Sequence, residues 1–127
     1  MTYMNLEEIN KIELKYLQFR DYLEIKNTMI AAYPSLQNAY WEENQIKSLL
    51  KKFPEGQVVI KVNGKIAGCA LAIIVTHDDF NKNHTYKEIT ADYTFDSHTS
   101  DGDTLYGIDI FINPEYRGLR LGRRLYD

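Results

Sequence analysis

The sequence predicts an α/β (α+β) fold in which a mainly antiparallel central sheet is covered by helices. Three observations predict it: an alternating strand pattern near the start, two amphipathic helical patterns after it, and an Asn-Gly hairpin signal followed by an almost continuous apolar strand. The predicted order is β-α-α-β-β-loop-β-α. The sequence contains no repeat or linker that would divide the chain, so we expect one domain over residues 1–127.

The first strand is predicted over residues 11–18, where Ile12, Leu14 and Tyr16 alternate with charged residues. A first helix then begins at Phe19 and ends at Pro34, because proline disfavours a helical residue before it. The apolar positions expected to share its buried face are Tyr22, Leu23, Ile25, Met29 and Ile30.

A second amphipathic helix is predicted over residues 41–53. Acidic residues stand in its first turn and lysines in its last, as the helix dipole favours. Its shared apolar face is expected to consist of Ile46, Leu49, Leu50 and Phe53.

The strands over residues 57–62 and 65–76 are predicted to form a hairpin. Asn63-Gly64 supplies the two positive-φ positions of a type I′ turn. The return strand is almost entirely apolar, so we expect it to be central and covered on both faces. It contains Cys69, the only cysteine, which we interpret as a buried structural thiol.

The long polar segment over residues 77–103 has no clear period except for a short helix predicted over residues 85–91. Segments of this length are either functional loops or plain insertions. Its histidines and aspartates show no recurring ligand spacing, so we expect no metal site. They are His77, Asp78, Asp79, His84, Asp92, Asp96, His98, Asp101 and Asp103.

Charge is distributed unevenly along the chain. The net charge is −3, yet Arg117, Arg120, Arg123 and Arg124 stand within the last eleven residues. An acidic chain with one local basic cluster favours a small polyanion over a long nucleic acid. Because no apolar run approaches the roughly 20 residues that cross a bilayer, and the start lacks a signal-peptide pattern, we expect a cytoplasmic protein with no membrane partner.

The predicted strand over residues 104–112 leads through Pro114 into a glycine-spaced basic segment that opens a helix. Unpaired N–H groups and the helix dipole make such a start suitable for a phosphate. Gly118 and Gly122 match neither the dinucleotide fingerprint nor the P-loop. Without a ligand, the same glycines would serve a tight turn and close helix packing.

Arg117-Gly118-Leu119-Arg120-Leu121-Gly122 resembles the acyl-CoA pyrophosphate loop of the GNAT superfamily of N-acyltransferases, commonly written [Q/R]-x-x-G-x-[G/A]. The preceding Asn-Pro-Glu-Tyr resembles the family's lead-in, and the element order also matches. More narrowly, the chain is similar to GNAT domains fused ahead of a nitrilase-type carbon–nitrogen hydrolase.

Two departures from the family pattern matter. Arg120 stands where the first glycine is usual, and the family's last strands and helix would lie beyond Asp127. The resemblance therefore implies the N-terminal portion of a GNAT domain.

The resemblance implies direct transfer of an acyl group from acyl-CoA, with acetyl-CoA as the expected donor, to the amine of a small molecule or peptide. Backbone groups of Ile110, Phe111 and Ile112 would pair with the pantetheine arm as an added strand. The pyrophosphate would be held by the segment that contains Arg117, Gly118, Leu119, Arg120, Leu121, Gly122 and Arg123. Each arginine could equally be a solvated helix residue.

A protonated amine must lose a proton, and Asp109, the only carboxylate inside the fourth strand, is the candidate base. Its side chain should face opposite to those of Ile108 and Ile110, unless a bulge changes the alternation of the strand. A strand buried on both faces would be expected to make this carboxylate a better base. In similar proteins the segment between the early helices flanks the acceptor, which indicates Tyr33, Tyr40 and Trp41. Asp109 could instead be a satisfied structural carboxylate, and the aromatic residues ordinary core.

Two other functions remain open at this point. The chain could be a non-catalytic acyl-CoA-binding or regulatory module joined to a downstream hydrolase, or a small-anion or nucleic-acid binding domain. A second copy of the chain or a fused C-terminal domain are its further candidate partners.

Overall fold

The computed structural model describes residues 11–33, 40–76 and 94–116. Its centre is a four-stranded antiparallel sheet in the order β1-β2-β3-β4. The strands are β1 (Ile12–Tyr16), β2 (Val58–Val62), β3 (Lys65–Val75) and β4 (Thr104–Ile112), and the helices are α1 (Tyr22–Ala32) and α2 (Glu43–Lys52). This confirms the predicted mixed fold; the helices expected over residues 85–91 and after residue 116 lie outside the described residues.

The predicted hairpin turn is confirmed. Asn63 and Gly64 have φ angles of 52° and 83°, as a type I′ turn requires. Asn63 also accepts a hydrogen bond from the Lys11 backbone through its side chain at 3.0 Å, which ties the start of β1 to the hairpin. Between its two neighbours, β3 is buried over most of its length, as expected of a central strand.

Both helices belong to one face of the sheet. The core there, which we call the helix-side cluster, consists of Leu17, Tyr22, Ile25, Met29, Ile46, Leu49, Val59, Ile66, Cys69, Leu71, Ile73, Val75, Phe95, Ile108 and Phe111. The opposite face holds a smaller group, the second-face cluster, of Ile60, Val62, Ala67, Ala70 and Tyr116.

The predicted buried face of α1 is partly wrong. Leu23 and Ile30 are 72% and 46% exposed, whereas Thr28 is buried. Its hydroxyl donates to the Glu24 carbonyl at 2.9 Å, so the polar group is satisfied inside the helix. The buried stripe of α1 is therefore centred on Ile25 and Met29, and it includes Thr28 in place of the predicted Leu23 and Ile30.

Gln57 lies directly before β2, and its fully buried side chain forms hydrogen bonds with β3 in the place of a strand backbone. Its Nε2 donates to the carbonyls of Phe53 (2.9 Å) and Ala72 (2.8 Å), and its Oε1 accepts from the Ala72 N–H at 2.9 Å. The side-chain amide thus pairs with β3 as a peptide group would. This explains why β2 starts at Val58 and not at the predicted residue 57.

Candidate active site

The carboxylate of Asp109 receives two side-chain hydrogen bonds from the segment that joins the two helices. Tyr33, directly after α1, donates its hydroxyl to Oδ1 at 3.1 Å, and Trp41, before α2, donates its indole N–H to Oδ2 at 3.1 Å. The Tyr33 hydroxyl also lies 3.2 Å from the Ile110 carbonyl. Two of the three residues predicted for the acceptor pocket therefore contact the carboxylate of the predicted base.

A β-bulge in β4 sets the direction of this carboxylate. Asp109 is opposite Leu71, but the next pair along the sheet is Ala72 with Gly107, which leaves Ile108 as an extra residue. Ile108 packs in the helix-side cluster and Ile110 against the second-face cluster. The prediction that Asp109 faces opposite to both isoleucines is wrong for Ile108, because the extra residue changes the parity.

Strand β4 also differs from the expected strand buried on both faces. Its side chains alternate between exposed and part-buried over the first half, and Leu105 is 63% exposed. Asp109 itself is part-buried. Among the described residues β4 is an edge strand, so one of its long sides is not paired within the sheet.

Tyr33 is a proton donor at neutral pH. Burial raises the pKa of Tyr33 to about 12, and the negative charge and hydrogen bond of Asp109 act in the same direction. Removing the proton would leave two negative groups in contact. The hydroxyl therefore keeps its proton and holds the carboxylate in place.

Trp41 is fixed by contacts around its backbone and its ring. Its carbonyl accepts from the Tyr22 hydroxyl at 2.8 Å, and its N–H donates to the Met29 sulfur at 3.4 Å. Its ring packs against the fully buried Phe95 with a centroid distance of 5.6 Å. The indole N–H is thus directed at Asp109 by groups from α1 and from the segment before β4.

Tyr40 is not among the recorded contacts of Asp109. Its ring lies beneath the Lys26 ammonium at 4.4 Å, and it packs against the edge of the helix-side cluster. It lies next to Trp41 in the chain, yet its recorded partner is on α1. Of the predicted aromatic group, only Tyr33 and Trp41 contact the carboxylate.

The backbone of β4 presents alternate residues to its open side. Asn113 donates to the Ala67 carbonyl at 2.7 Å, so alternation of the ladder directs the Phe111 backbone towards β3 and the backbones of Ile110 and Ile112 away from it. After β4, the Asn113 side chain accepts from the Glu115 N–H at 3.0 Å and starts a short 3₁₀ helix. Tyr116 ends this helix, buried in the second-face cluster.

The predicted pyrophosphate segment lies outside the described residues. It comprises Arg117, Gly118, Leu119, Arg120, Leu121, Gly122 and Arg123. The described structure ends at the buried Tyr116, directly before this segment.

Sequence reasoning missed the anchors of the segment before β4. Phe95 is fully buried at a φ of 63°, a conformation that is uncommon for a residue with a side chain. His98 accepts from the Ile74 N–H through Nδ1 at 3.0 Å and stacks on Phe53 at 4.8 Å. A lone phenylalanine and a histidine in a polar stretch carry no periodic signal, so only a tertiary structure reveals them.

Cys69 and His98, which were also considered in the sequence, have roles in the packing and hydrogen bonding of the fold. Cys69 is a buried free thiol, as predicted, and burial, with help from Asp109 and Asp21, raises its pKa. His98 uses its Nδ1 within the fold. In the described part of the chain, no group of three or more His, Cys, Asp or Glu side chains is arranged to hold a metal, and no helix there is both long and apolar enough to span a membrane.

Comparison with known proteins places this arrangement in a family. The sequence profile of the acetyltransferase (GNAT) family matches residues 19–127, so the chain belongs to that family. A Bacillus subtilis protein described as an uncharacterized N-acetyltransferase, YkwB, is 37% identical over 92 residues, which cover 72% of this chain and 41% of YkwB. The probable hydrolase YhcX of the same organism is 29% identical over 117 residues, which cover 92% of this chain and 22% of YhcX.

Solved structures with the same fold include two GNAT-like domains. The loading GNATL domain of CurA from Lyngbya majuscula matches with a TM-score of 0.75 and 20% identity over 92% of this chain and 55% of that one. The GphF GNAT-like decarboxylase, solved in complex with isobutyryl-CoA, matches with a TM-score of 0.75 and 15% identity over 90% of this chain and 55% of GphF. The chain thus spans well under two thirds of each of these relatives.

Proposed function

We propose that the chain acts as an acyl-CoA-dependent N-acyltransferase domain, with acetyl-CoA as donor and an amine as acceptor. The observation that carries the proposal is the Asp109 carboxylate, held at the bulge of β4 by Tyr33 and Trp41. It stands beside the outward-directed backbone of Ile110, so the carboxylate lies next to a strand edge that no other described strand pairs with.

The acyl donor would bind along the open side of β4. The Ile110 N–H and both backbone groups of Ile112 are directed to that side, where an extended pantetheine arm can pair as an added strand. The Phe111 backbone faces β3, so the proposal narrows the expected pantetheine partners to Ile110 and Ile112. The segment from Arg117 to Arg123 would hold the pyrophosphate, starting where Tyr116 is anchored.

The acceptor would approach from the side of Tyr33 and Trp41. An ammonium group must give one proton to a base before its nitrogen can attack the thioester carbonyl. Asp109 would take that proton; a carbon–nitrogen bond then forms, the carbon–sulfur bond breaks, and the CoA thiolate leaves and takes up the second proton, which the attacking nitrogen loses as it becomes an amide. Each Asp109 oxygen accepts one recorded protein hydrogen bond, and a carboxylate oxygen can accept a second.

The sequence relatives support the class of reaction. YkwB carries the description N-acetyltransferase. GphF is itself described as a decarboxylase, and at 15% identity it supports the fold alone. The hydrolase description of YhcX favours a second candidate, a non-catalytic acyl-CoA-binding module of a larger protein.

Two measurements on the full-length protein test the proposal. The first is thiol release from acetyl-CoA with a panel of amines, and the second is calorimetry with acetyl-CoA, ADP and an oligonucleotide. We expect amine-dependent thiol release, and Asp109→Asn should lower kcat by about 10²-fold or more while the Kd for acetyl-CoA stays the same, as loss of a general base predicts. Tyr16→Phe, at the opposite edge of the sheet, is the control and should be fully active.

The outcomes separate the candidate functions. Acetyl-CoA binding without thiol release for any amine would favour the non-catalytic module. Binding of the oligonucleotide alone would reject both acyl-CoA functions, and full turnover in Asp109→Asn would remove Asp109 from the mechanism.

A further inference from the structure

Strand β1 forms the edge of the described sheet opposite to β4, and within that sheet only every second residue of β1 forms backbone hydrogen bonds. Lys11 accepts from Asn63 N–H at 2.8 Å and Leu17 donates to the Gln57 carbonyl at 2.8 Å, both towards the side of β2. Hydrogen-bonded pairs alternate along an antiparallel ladder, so every second residue faces the other way. The N–H and C=O groups directed away from the sheet belong to Ile12, Leu14 and Tyr16.

Two of these three residues have apolar side chains that are exposed, whereas Ile12 is part-buried. Leu14 is 49% exposed and Tyr16 is 65% exposed. With Lys15 and Val58 they line a shallow depression of about 310 Å³. Large exposed apolar side chains along an edge strand are what monomeric sheets usually avoid, because such an edge pairs readily with another strand.

We propose that this edge pairs with β1 of a second copy of the chain, antiparallel and centred on Leu14. In that arrangement Leu14 meets Leu14 of the second copy, and Ile12 meets Tyr16 of the second copy. The outward N–H and C=O groups of one strand then lie opposite those of the other strand and can form hydrogen bonds with them. An aromatic ring opposite a β-branched side chain is a favourable cross-strand pair, and the exposed leucines cover one another.

Charge complementarity selects this register. On the other face of β1, the centred register places Glu13 opposite Lys15 of the second copy, and it does so twice because of the two-fold symmetry. A shift of two residues in one direction would place Glu13 opposite Glu13, and in the other direction Lys15 opposite Lys15. Like charges directly opposite destabilise a strand pair, and an odd shift would oppose outward backbone groups to inward ones.

The ion pairs of the monomer leave these charges available. Glu13 contacts Lys11 at 3.4 Å and Lys15 at 3.5 Å along its own strand, and both lysine side chains are more than half exposed. Exposed pairs of this kind contribute little, so exchanging them for cross-strand pairs costs little. The resulting dimer joins the four described strands of each copy into one sheet, with both β4 edges outermost. The inference is therefore independent of the proposed function.

Sedimentation velocity over a wide range of concentrations tests the pairing, with the chain alone and as charge variants. We expect a concentration-dependent dimer for the unchanged chain. E13K places Lys opposite Lys15, and K15E places Glu opposite Glu13, so each variant alone should dimerise about tenfold more weakly, since two pairs change from attraction to repulsion. An equimolar mixture of E13K and K15E chains should recover the dimer, because every charged pair across that interface is again opposite in sign.

Two further variants separate pairing from folding. Leu14→Pro removes an N–H that points away from β2, so the fold should persist in circular dichroism while the dimer is lost. Leu23→Ser, which changes an equally apolar and more exposed residue on α1, should leave the dimer intact, whereas Leu14→Ser should weaken it. A monomer at every concentration would overturn the proposal. So would single charge variants that dimerise like the unchanged chain, or a mixture that fails to recover.

Discussion

The hydrogen bonds of Asp109 with Tyr33 and Trp41 allow a prediction about stability, because the two donors that contact the carboxylate differ in kind. The indole N–H of Trp41 can only donate, whereas the Tyr33 hydroxyl can donate or accept. In Asp109→Asn, the amide oxygen can face Trp41 and the amide NH₂ can donate to Tyr33. The Tyr33 hydroxyl then donates to the Ile110 carbonyl, which already lies 3.2 Å away.

The magnitudes follow from this geometry. Asp109→Asn keeps every donor paired and loses only charge assistance, so we expect a loss of about 1–2 kcal/mol in the free energy of unfolding. Asp109→Leu removes the carboxylate that accepts from the Trp41 indole N–H and from the Tyr33 hydroxyl, and losing the acceptor of a part-buried donor costs about 1–3 kcal/mol. The expected loss for Asp109→Leu is therefore about 2–4 kcal/mol.

Urea denaturation at neutral pH, followed by tryptophan fluorescence, measures both variants, since Trp41 is the only tryptophan. Tyr40→Phe is a control that alters a neighbouring aromatic residue whose recorded partner is Lys26; we expect its stability to be nearly unchanged. Equal losses for Asp109→Asn and Asp109→Leu would refute the exchange of hydrogen bonds described above. No loss in Asp109→Leu would show that the two bonds contribute nothing to folding.

Two further predictions concern the supports of the sheet. Burial lowers the pKa of His98, and Lys52 acts in the same direction while Glu55 opposes it. The neutral form of His98 therefore stabilises the fold at any pH above the pKa of the unfolded chain, near 6.5. This stabilisation is lost as the pH falls from there through the lower pKa of the folded chain. Stability of the unchanged chain should therefore decline below about pH 6.5 more steeply than that of His98→Gln, and parallel pH profiles would contradict the role of Nδ1 as acceptor from Ile74. Gln57→Leu removes the hydrogen-bond partners of the part-buried N–H and C=O of Ala72 on that side, so we expect a loss of about 3 kcal/mol in thermal or urea unfolding. A loss below about 1 kcal/mol would count against the peptide-like pairing.

Local patterns in the sequence were enough to predict most of the fold. The bounds of β4 and the hairpin at Asn63-Gly64 agree with the structure, because alternation and turn chemistry act over a few residues. The buried face of α1 was predicted less well, since Thr28 becomes buried by satisfying its hydroxyl within the helix. Such compensation is invisible to a pattern of apolar residues.

The candidate site depended on contacts between distant parts of the chain. Asp109 was identified as the only carboxylate in its strand, and Tyr33 and Trp41 from the family resemblance. The hydrogen bonds that join them span 76 and 68 residues, so no local spacing could predict them. The role of Gln57 was missed for the same reason, since its partner Ala72 lies on another strand.

The bulge in β4 is what allows the carboxylate and its donors to meet. Tyr106 and Ile108 pack on the helix side of the sheet, and in a regular strand the next residue on that side would be residue 110, with Asp109 on the opposite face. The extra residue shifts the parity between Ile108 and Asp109, so that Asp109 reaches Tyr33 and Trp41 while Ile110 turns to the second face. A bulge disrupts the ladder locally, and here it directs a charged side chain towards two aromatic donors, while the outward edge of Ile110 and Ile112 has no partner strand among the described residues. The register of this one strand therefore links the acceptor side of the proposed reaction to the donor side.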